Sequence, residues 1–241
     1  MYPDLLNIYA DRGNVAVLLR RASWRDIELI VRPVDQGQRL PGDADLVYIG
    51  GGQDRDQQLI AADIASRSEE LESFVDDDGA LLAVCGGYQL LGRAYVDADG
   101  SELPGAGLFP LRTVAGERRL IGDVLLECAF AEGPARPVAG FENHAGRTEL
   151  DAGARPLGRV IYGFGNDGRS GYEGCTRKAA IGTYLHGPLL PRNPWLADWL
   201  LERALEHRTG QEHDLPPLDD ALEASAQALA SQRARARGGR L

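Results

Sequence analysis

The sequence predicts an α/β fold: a central, mostly parallel sheet flanked by helices, with a helical appendage at the C-terminal end. Three observations carry that expectation. Up to residue 92, short apolar runs alternate with helix-like stretches, the pace of β-α-β units whose strands lie parallel. The run Ala80-Leu81-Leu82-Ala83-Val84 is apolar throughout, as a strand covered on both faces is. The chain has 241 residues, 44% of them hydrophobic, enough for one substantial core.

The elements follow in order. Residues 5–9 read as a first strand, residues 11–14 as a turn with Asn14 as helix cap, and residues 15–22 as a helix with the basic end Arg20-Arg21. A second strand is expected at 27–31 and a third at 45–49. Residues 54–76 read as one long amphipathic helix, because Ile60, Ile64, Leu71 and Phe74 recur at helical spacing. Asp76-Asp77-Asp78-Gly79 ends it as a solvated turn. From about residue 105 to 173 the pattern changes to short segments broken by Gly and Pro, which read as antiparallel strands and loops. A strand follows at 180–186, then a helix opened by Asn193-Pro194 and carrying Trp195, Leu196, Trp199 and Leu200. The composition shifts after His207. We therefore divide the chain into a domain at 1–207 and a tail at 208–241, helical or partly disordered.

Chemistry enters at Cys85. The apolar strand 80–84 ends in Cys85-Gly86-Gly87, and a helix-like run with Gln89 follows. That is the layout of a nucleophile elbow, in which a sharp strand-to-helix turn presents the nucleophile. A helix start beside the sulfur favours the thiolate. Gly50-Gly51-Gly52 directly follows the third expected strand. It has neither the Gly-Lys-Ser/Thr of a phosphate loop nor a dinucleotide spacing. Beside an elbow, Gly52 and Gly86 fit an oxyanion hole made of backbone N–H groups. His186 ends the strand at 180–186, and Gly187-Pro188 stops it. In open α/β sheets, sites lie beyond the carboxyl ends of strands, so Cys85 and His186 form a candidate nucleophile–base pair. Arg118-Arg119 sets two cations beside a strand, where one guanidinium can hold a carboxylate bidentately. His144, in Phe141-Glu142-Asn143-His144, reads as structural or substrate-orienting.

Charge and cysteine usage exclude other classes. Lys and Arg number 26 against 36 Asp and Glu, a net charge of −10, which disfavours nucleic acid and anionic lipid as partners. Cys85, Cys128 and Cys175 are odd in number and lack a C-x-x-C spacing, so neither a disulfide framework nor a metal site is expected. No apolar run approaches a membrane span. The N-terminal residues show no signal peptide, and a cytoplasmic location is expected.

Together the motifs Gly50-Gly51-Gly52-Gln53-Asp54, Val84-Cys85-Gly86-Gly87-Tyr88-Gln89-Leu90-Leu91-Gly92 and Tyr184-Leu185-His186-Gly187-Pro188 resemble the class I glutamine amidotransferases, in their cobyric acid synthase-like branch. Within it, Gly140-Phe141-Glu142-Asn143-His144-x-Gly146-Arg147-Thr148 and the run from His186 to Pro194 resemble glutaminase subunits of lipid II isoglutaminyl synthases. The resemblance covers about residues 4 to 206. It implies a flavodoxin-like fold and hydrolysis of L-glutamine. Cys85 would be the nucleophile and His186 its base, with Gly52 and Gly86 as the oxyanion hole. Arg119 would hold the α-carboxylate, and Gln89 the substrate backbone. It also implies a heterodimer with a Mur-ligase-like synthetase that uses ATP and magnesium to amidate D-glutamate in lipid II; this chain itself needs no cofactor. One departure stands out: the wider superfamily carries Glu two residues after the His, where this chain has Pro188. Glu142 and the partner are the candidate sources of the missing acid. The residues alone also fit a cobyrinate-type acceptor, another Cys–His hydrolase such as a peptidase or γ-glutamyl hydrolase, or a non-catalytic scaffold.

Overall fold

The computed structural model describes residues 1–6, 12–130, 134–186 and 188–237. In chain order the elements are α1 (Arg12–Ser23), β1 (Leu46–Ile49), α2 (Asp54–Ser66), α3 (Ser68–Asp76), β2 (Ala80–Val84), α4 (Gly86–Leu90), β3 (Ala94–Val96), β4 (Glu102–Pro104) and β5 (Leu111–Cys128). There follow β6 (Arg136–Leu150), β7 (Gly158–Tyr162), β8 (Tyr172–Glu173), β9 (Cys175–Arg177), β10 (Ala180–Thr183), α5 (Leu189–Arg192), α6 (Pro194–Thr209) and α7 (Ala221–Arg237).

Two sheets result. The first runs β1-β2-β10-β9. Its first three strands are parallel and β9 is antiparallel to β10. Every residue of β2 and β10 is buried, which accounts for the unbroken apolar run of β2. Leu81 and Leu82 share one core with Ile60, Ile64, Leu196 and Leu200, so helices cover the sheet. The second sheet runs β4-β3-β5-β7-β8, with β6 also paired to β5.

The structure revises several local expectations. Residues 5 and 6 lie in turns closed on the Tyr2 carbonyl, and the remainder of the expected first strand, 7–9, falls outside the described residues. Residues 27–31 join neither sheet; Ile30 and Val31 are exposed there. Asn14 is not a cap. It lies inside α1, donates to Tyr48 Oη (3.2 Å) and accepts the Leu190 N–H (2.9 Å), tying α1 to β1 and α5. The helix expected at 54–76 breaks at Arg67, whose buried guanidinium is held by Asp63 and Glu70. The segments expected to be short between 105 and 173 include two long strands, β5 and β6, with a register shift between Ala115 and Leu120.

Glycine explains the last difference. Gly inside a strand marks a close approach of other chain as readily as a break. A Cβ on Gly140 would meet the Leu185 side chain at 2.9 Å, and one on Gly116 would meet the Arg147 guanidinium carbon at 2.8 Å. Gly140 lets β6 press against the segment beyond β10, and Gly116 leaves room on β5 for Arg147 of the paired strand.

The C-terminal helix is docked. α7 lies against β5, β6 and β7. Gln227 Nε2 donates to Pro137 O (3.1 Å) and Asn193 Oδ1 (3.0 Å). Ala230 packs, with Tyr162, on the small cluster of Leu125 and Ala139. No helix among the described residues is long and apolar enough to cross a membrane.

Candidate active site

The site sits at the carboxyl ends of three parallel strands: Gly50–52 follow β1, Cys85 follows β2, and His186 lies three residues past β10. Register makes this more than adjacency. Thr183 is paired with Val84, and the Cys85 N–H donates to Thr183 O at 2.8 Å.

Cys85 has φ 48° and ψ −105°, a left-handed conformation that costs a non-glycine residue about 1–3 kcal/mol. The fold sustains it through the Thr183 bond and the Gln89 N–H on the Cys85 carbonyl (2.9 Å). The glycines after it are needed for space. A Cβ on Gly86 would come within 2.9 Å of the Gly52 amide nitrogen, and one on Gly87 within 2.8 Å of Gly50 O. The Gly52 amide therefore lies against the elbow, as a two-donor oxyanion hole with the Gly86 N–H requires. Because α4 has only five residues, individual N–H groups replace the helix dipole expected from sequence. Cys85 is 5% exposed.

His186 is fully buried. Its backbone pairs with Phe141 of β6, His186 N–H to Phe141 O at 2.7 Å and Phe141 N–H to His186 O at 3.2 Å. The strand expected to run to the histidine thus ends at Thr183, and a bridge to the second sheet carries His186. Pro188 faces Gly13 at the start of α1, where an added Cβ would lie 2.6 Å from Pro188 Cγ; the usual place of the third carboxylate is filled by a ring against a helix. The Glu142 carboxylate turns to another histidine. It accepts the Phe164 and Gly165 N–H groups (2.7 and 2.9 Å) and lies 3.5 Å from His144 Nε2. His144 Nδ1 sits 2.8 Å from Gly146 O, so Nδ1 carries the proton, since a carbonyl only accepts.

Arg119 stands in the irregular stretch of β5. Its Nε donates to Asn143 Oδ1 and its Nη2 to Asn143 O, both at 2.7 Å. Asn143 is two residues along β6 from Phe141, the residue bridged to His186. Arg119 is exposed and presents its guanidinium on that side. We expect Arg119→Ala to raise the KM for glutamine by one to two orders of magnitude at nearly unchanged kcat, because a charge-assisted contact is worth about 1.5–3 kcal/mol; Arg118→Ala is the control, and steady-state kinetics on both checks it. Gln89 is buried, and its Nε2 donates to Tyr184 Oη (3.1 Å).

Sequence reading passed over the polar frame around these groups. Tyr184 Oη pairs with Thr148 Oγ1 (2.6 Å), and its ring stacks on His144 with centroids 3.5 Å apart. Asn166 accepts from Tyr88 Oη (3.3 Å) and the Gly174 N–H (2.9 Å). Glu173 is wholly buried beside Thr183 and Tyr184. The available signal was an acidic residue flanked by glycines, Gly171-Tyr172-Glu173-Gly174, which reads equally well as a loop. Cys128 and Cys175 are free and buried. Burial pushes both thiols up, Cys175 to about 12. Cys128→Ser and Cys175→Ser are expected to keep glutaminase activity within about twofold of wild type, as inert buried thiols should; glutamate release is the measurement.

Residues 1–194 match the CobB/CobQ-like glutamine amidotransferase domain. The chain is 38% identical over 233 residues to the lipid II isoglutaminyl synthase (glutamine-hydrolyzing) subunit GatD of Staphylococcus aureus, covering 96% of this chain and 93% of that protein. It is 38% identical over 224 residues to the same subunit of Streptococcus pneumoniae, covering 92% and 85%. Among solved structures, a chain of PurLQS from Thermotoga maritima superposes with a TM-score of 0.53 at 12% identity, covering 81% of this chain and 91% of that one; that likeness concerns the fold. A strained cysteine elbow backed by a glycine-loop amide, in a chain so matched along most of its length, makes this protein a member of the CobB/CobQ-like glutamine amidotransferase family.

Proposed function

We propose that this chain is the glutamine-hydrolysing subunit of a lipid II isoglutaminyl synthase. The observation that carries the reading is the Cys85 elbow with the Gly52 amide against it. In the proposed reaction Cys85 Sγ attacks the side-chain amide carbon of L-glutamine, held by Arg119 at its α-carboxylate and by Gln89 along its backbone. The oxyanion forms between the N–H groups of Gly52 and Gly86. His186 takes the thiol proton and returns it to the departing ammonia. Water then attacks the thioester, with His186 again as base, and glutamate leaves.

The ammonia passes to a Mur-ligase-like partner, which binds ATP and magnesium and activates the α-carboxyl of D-glutamate in the lipid II stem peptide. The reaction takes place in the cytoplasm. The reading is tested by glutamate release from L-glutamine together with labelling of Cys85 by a glutamine-analogue electrophile. Release without labelling at Cys85, or labelling without release, overturns it.

The partner also bears on the rate. Pro188 occupies the place where the wider superfamily carries a carboxylate that orients the base, and the Glu142 carboxylate is turned to His144; on the proposed reading the partner supplies that carboxylate. We expect the isolated chain to be a weak glutaminase. Saturation with the partner should raise kcat/KM at least about tenfold, well within the roughly 10⁴-fold that an orienting carboxylate can contribute. Titrating purified partner into the chain checks this, and full activity of the chain alone would show the site complete without it.

A further inference from the structure

We propose that Glu173 is a positioning residue for the Cys85–His186 pair, its buried carboxyl clamping the peptide that connects the two. The proposal rests on the glutaminase reading above and adds a residue that never touches substrate.

The connection runs through Thr183 and Tyr184. Thr183 O accepts the Cys85 N–H at 2.8 Å, so the strand end of β10 fixes the nucleophile's backbone. The same Thr183 pairs its Oγ1 with Glu173 Oε2 at 2.9 Å. Tyr184 N–H donates to Glu173 Oε1 at 2.6 Å, and Leu185 N–H to Thr183 Oγ1 at 3.1 Å. His186 is the next residue. One carboxyl group therefore holds Cys85 through one residue and His186 through the short segment 184–186, which leaves the parallel sheet to reach Phe141.

Glu173 is itself rigidly held. It pairs with Gly158 across β7 and β8. Gly174 after it has φ 68°, and a Cβ there would meet Gly182 O at 2.6 Å; only glycine brings the carboxyl this close to β10. Asn166 closes the turn from both sides, accepting the Gly174 N–H at 2.9 Å and donating to Gly174 O at 3.1 Å.

A carboxyl at this depth is costly as an anion, and no cation among the described residues forms an ion pair with it. Burial pushes Glu173 up to about 8, opposed by the Tyr184 N–H and the Thr183 hydroxyl and reinforced by Glu142. The groups facing it are Tyr88 from α4, Cys128 from β5, Glu142 from β6, Cys175 from β9 and Tyr184 beyond β10. Burial raises both tyrosines and both cysteines as well, so Glu173 ionises before them as pH climbs. Oε1 accepts from the Tyr184 N–H and Oε2 from the Thr183 hydroxyl; protonation of Oε2 reverses the second bond, so that Oε2–H donates to Thr183 Oγ1. Glutamine reproduces that pattern, with Oε1 accepting and Nε2–H donating. Ionisation instead places a charge against the strand end that carries both reacting side chains.

The test compares E173Q, E173A and wild type as full-length chains. E173Q should keep kcat within about twofold near pH 7 and lack the fall in activity expected of wild type above about pH 8. E173A should lower kcat at least about tenfold with KM within about threefold, a split that points to misaligned reacting groups. Iodoacetamide labelling of Cys85, which needs no glutamine, should slow in E173A and not in E173Q. An E173A enzyme with wild-type kcat overturns the proposal, as does an E173Q enzyme with the wild-type alkaline fall. If E173A does not fold, the E173Q profile decides. If wild type labels at Cys85 but releases no glutamate, the glutaminase reading fails and the labelling rates alone judge Glu173.

Discussion

Cys85→Ala yields a folded protein that no longer hydrolyses glutamine, with kcat/KM down by about four orders of magnitude or more, the scale of losing a nucleophile. Nothing else described at the elbow replaces the thiol, since Cys128 and Cys175 are buried elsewhere with raised pKa values. His186→Ala has a comparable effect, because the leaving ammonia then lacks its proton donor. Stability separates chemistry from strain. Alanine keeps a Cβ at φ 48° and so keeps the strain, and the variant melts within a few degrees of wild type. Cys85→Gly is equally inactive but relieves the conformation, and it should be more stable than Cys85→Ala by on the order of 1 kcal/mol. Glutamate assays and urea melts on the three variants check both halves. Cys85→Ala retaining near-wild-type hydrolysis would remove the nucleophile assignment, and Cys85→Gly melting below Cys85→Ala would remove the strain account.

Arg21→Ala should destabilise the protein by about 3 kcal/mol, the lower end of what breaking a buried charge network costs. Arg21 is 3% exposed. Its guanidinium binds Asp198 of α6 through two bonds of 2.6 Å and Asp220, just before α7, through bonds of 2.6 and 2.9 Å. Arg25 also holds Asp198, and both carboxylates are partly solvated, which keeps the loss at the low end. Burial alone would raise the Asp198 carboxyl, but the two arginines outweigh it and its pKa is lowered. A depressed acid contributes stability above its unfolded value, lost as pH falls through the folded one. Wild type therefore weakens as pH drops below about 4, and Arg21→Ala should show a shallower acid limb in that range. Urea melts between about pH 3 and 7 measure it. Removing residues 208–241 takes away Asp220 and should destabilise in the same direction; a truncated chain as stable as the whole would show that the tail contributes nothing to the domain.

The elbow and the glycine loop were legible because each depends on local backbone. A nucleophile elbow needs an apolar strand, a cysteine and glycines in immediate succession, and residues 80–92 supply them in that order. The candidate oxyanion loop shows itself as three glycines after a strand, and the alternation of strands and helices implies a parallel sheet whose carboxyl ends collect such turns. The same local reading failed where an identical signal has two physical causes. Gly and Pro between residues 105 and 173 read as breaks between short segments, yet Gly140 lies inside β6 as room for Leu185; Asn14 read as a cap and proved to be a tie between elements.

The sequence by itself determined the α/β class, the order of strand, elbow and helix, and the cysteine that directly follows a buried parallel strand, whereas His186, expected at a strand end, lies three residues past β10. Tertiary structure alone decided what surrounds them: Glu142 against His144, the arginine–aspartate network that docks the tail, and Glu173 beneath Thr183 and Tyr184. The physical reason is range. A turn or an apolar strand is encoded by neighbours in the chain, whereas the partner of a buried charge or carboxyl comes from elements far away in sequence. Arg21 and Asp220 are 199 residues apart, and only the packed fold brings such groups into contact.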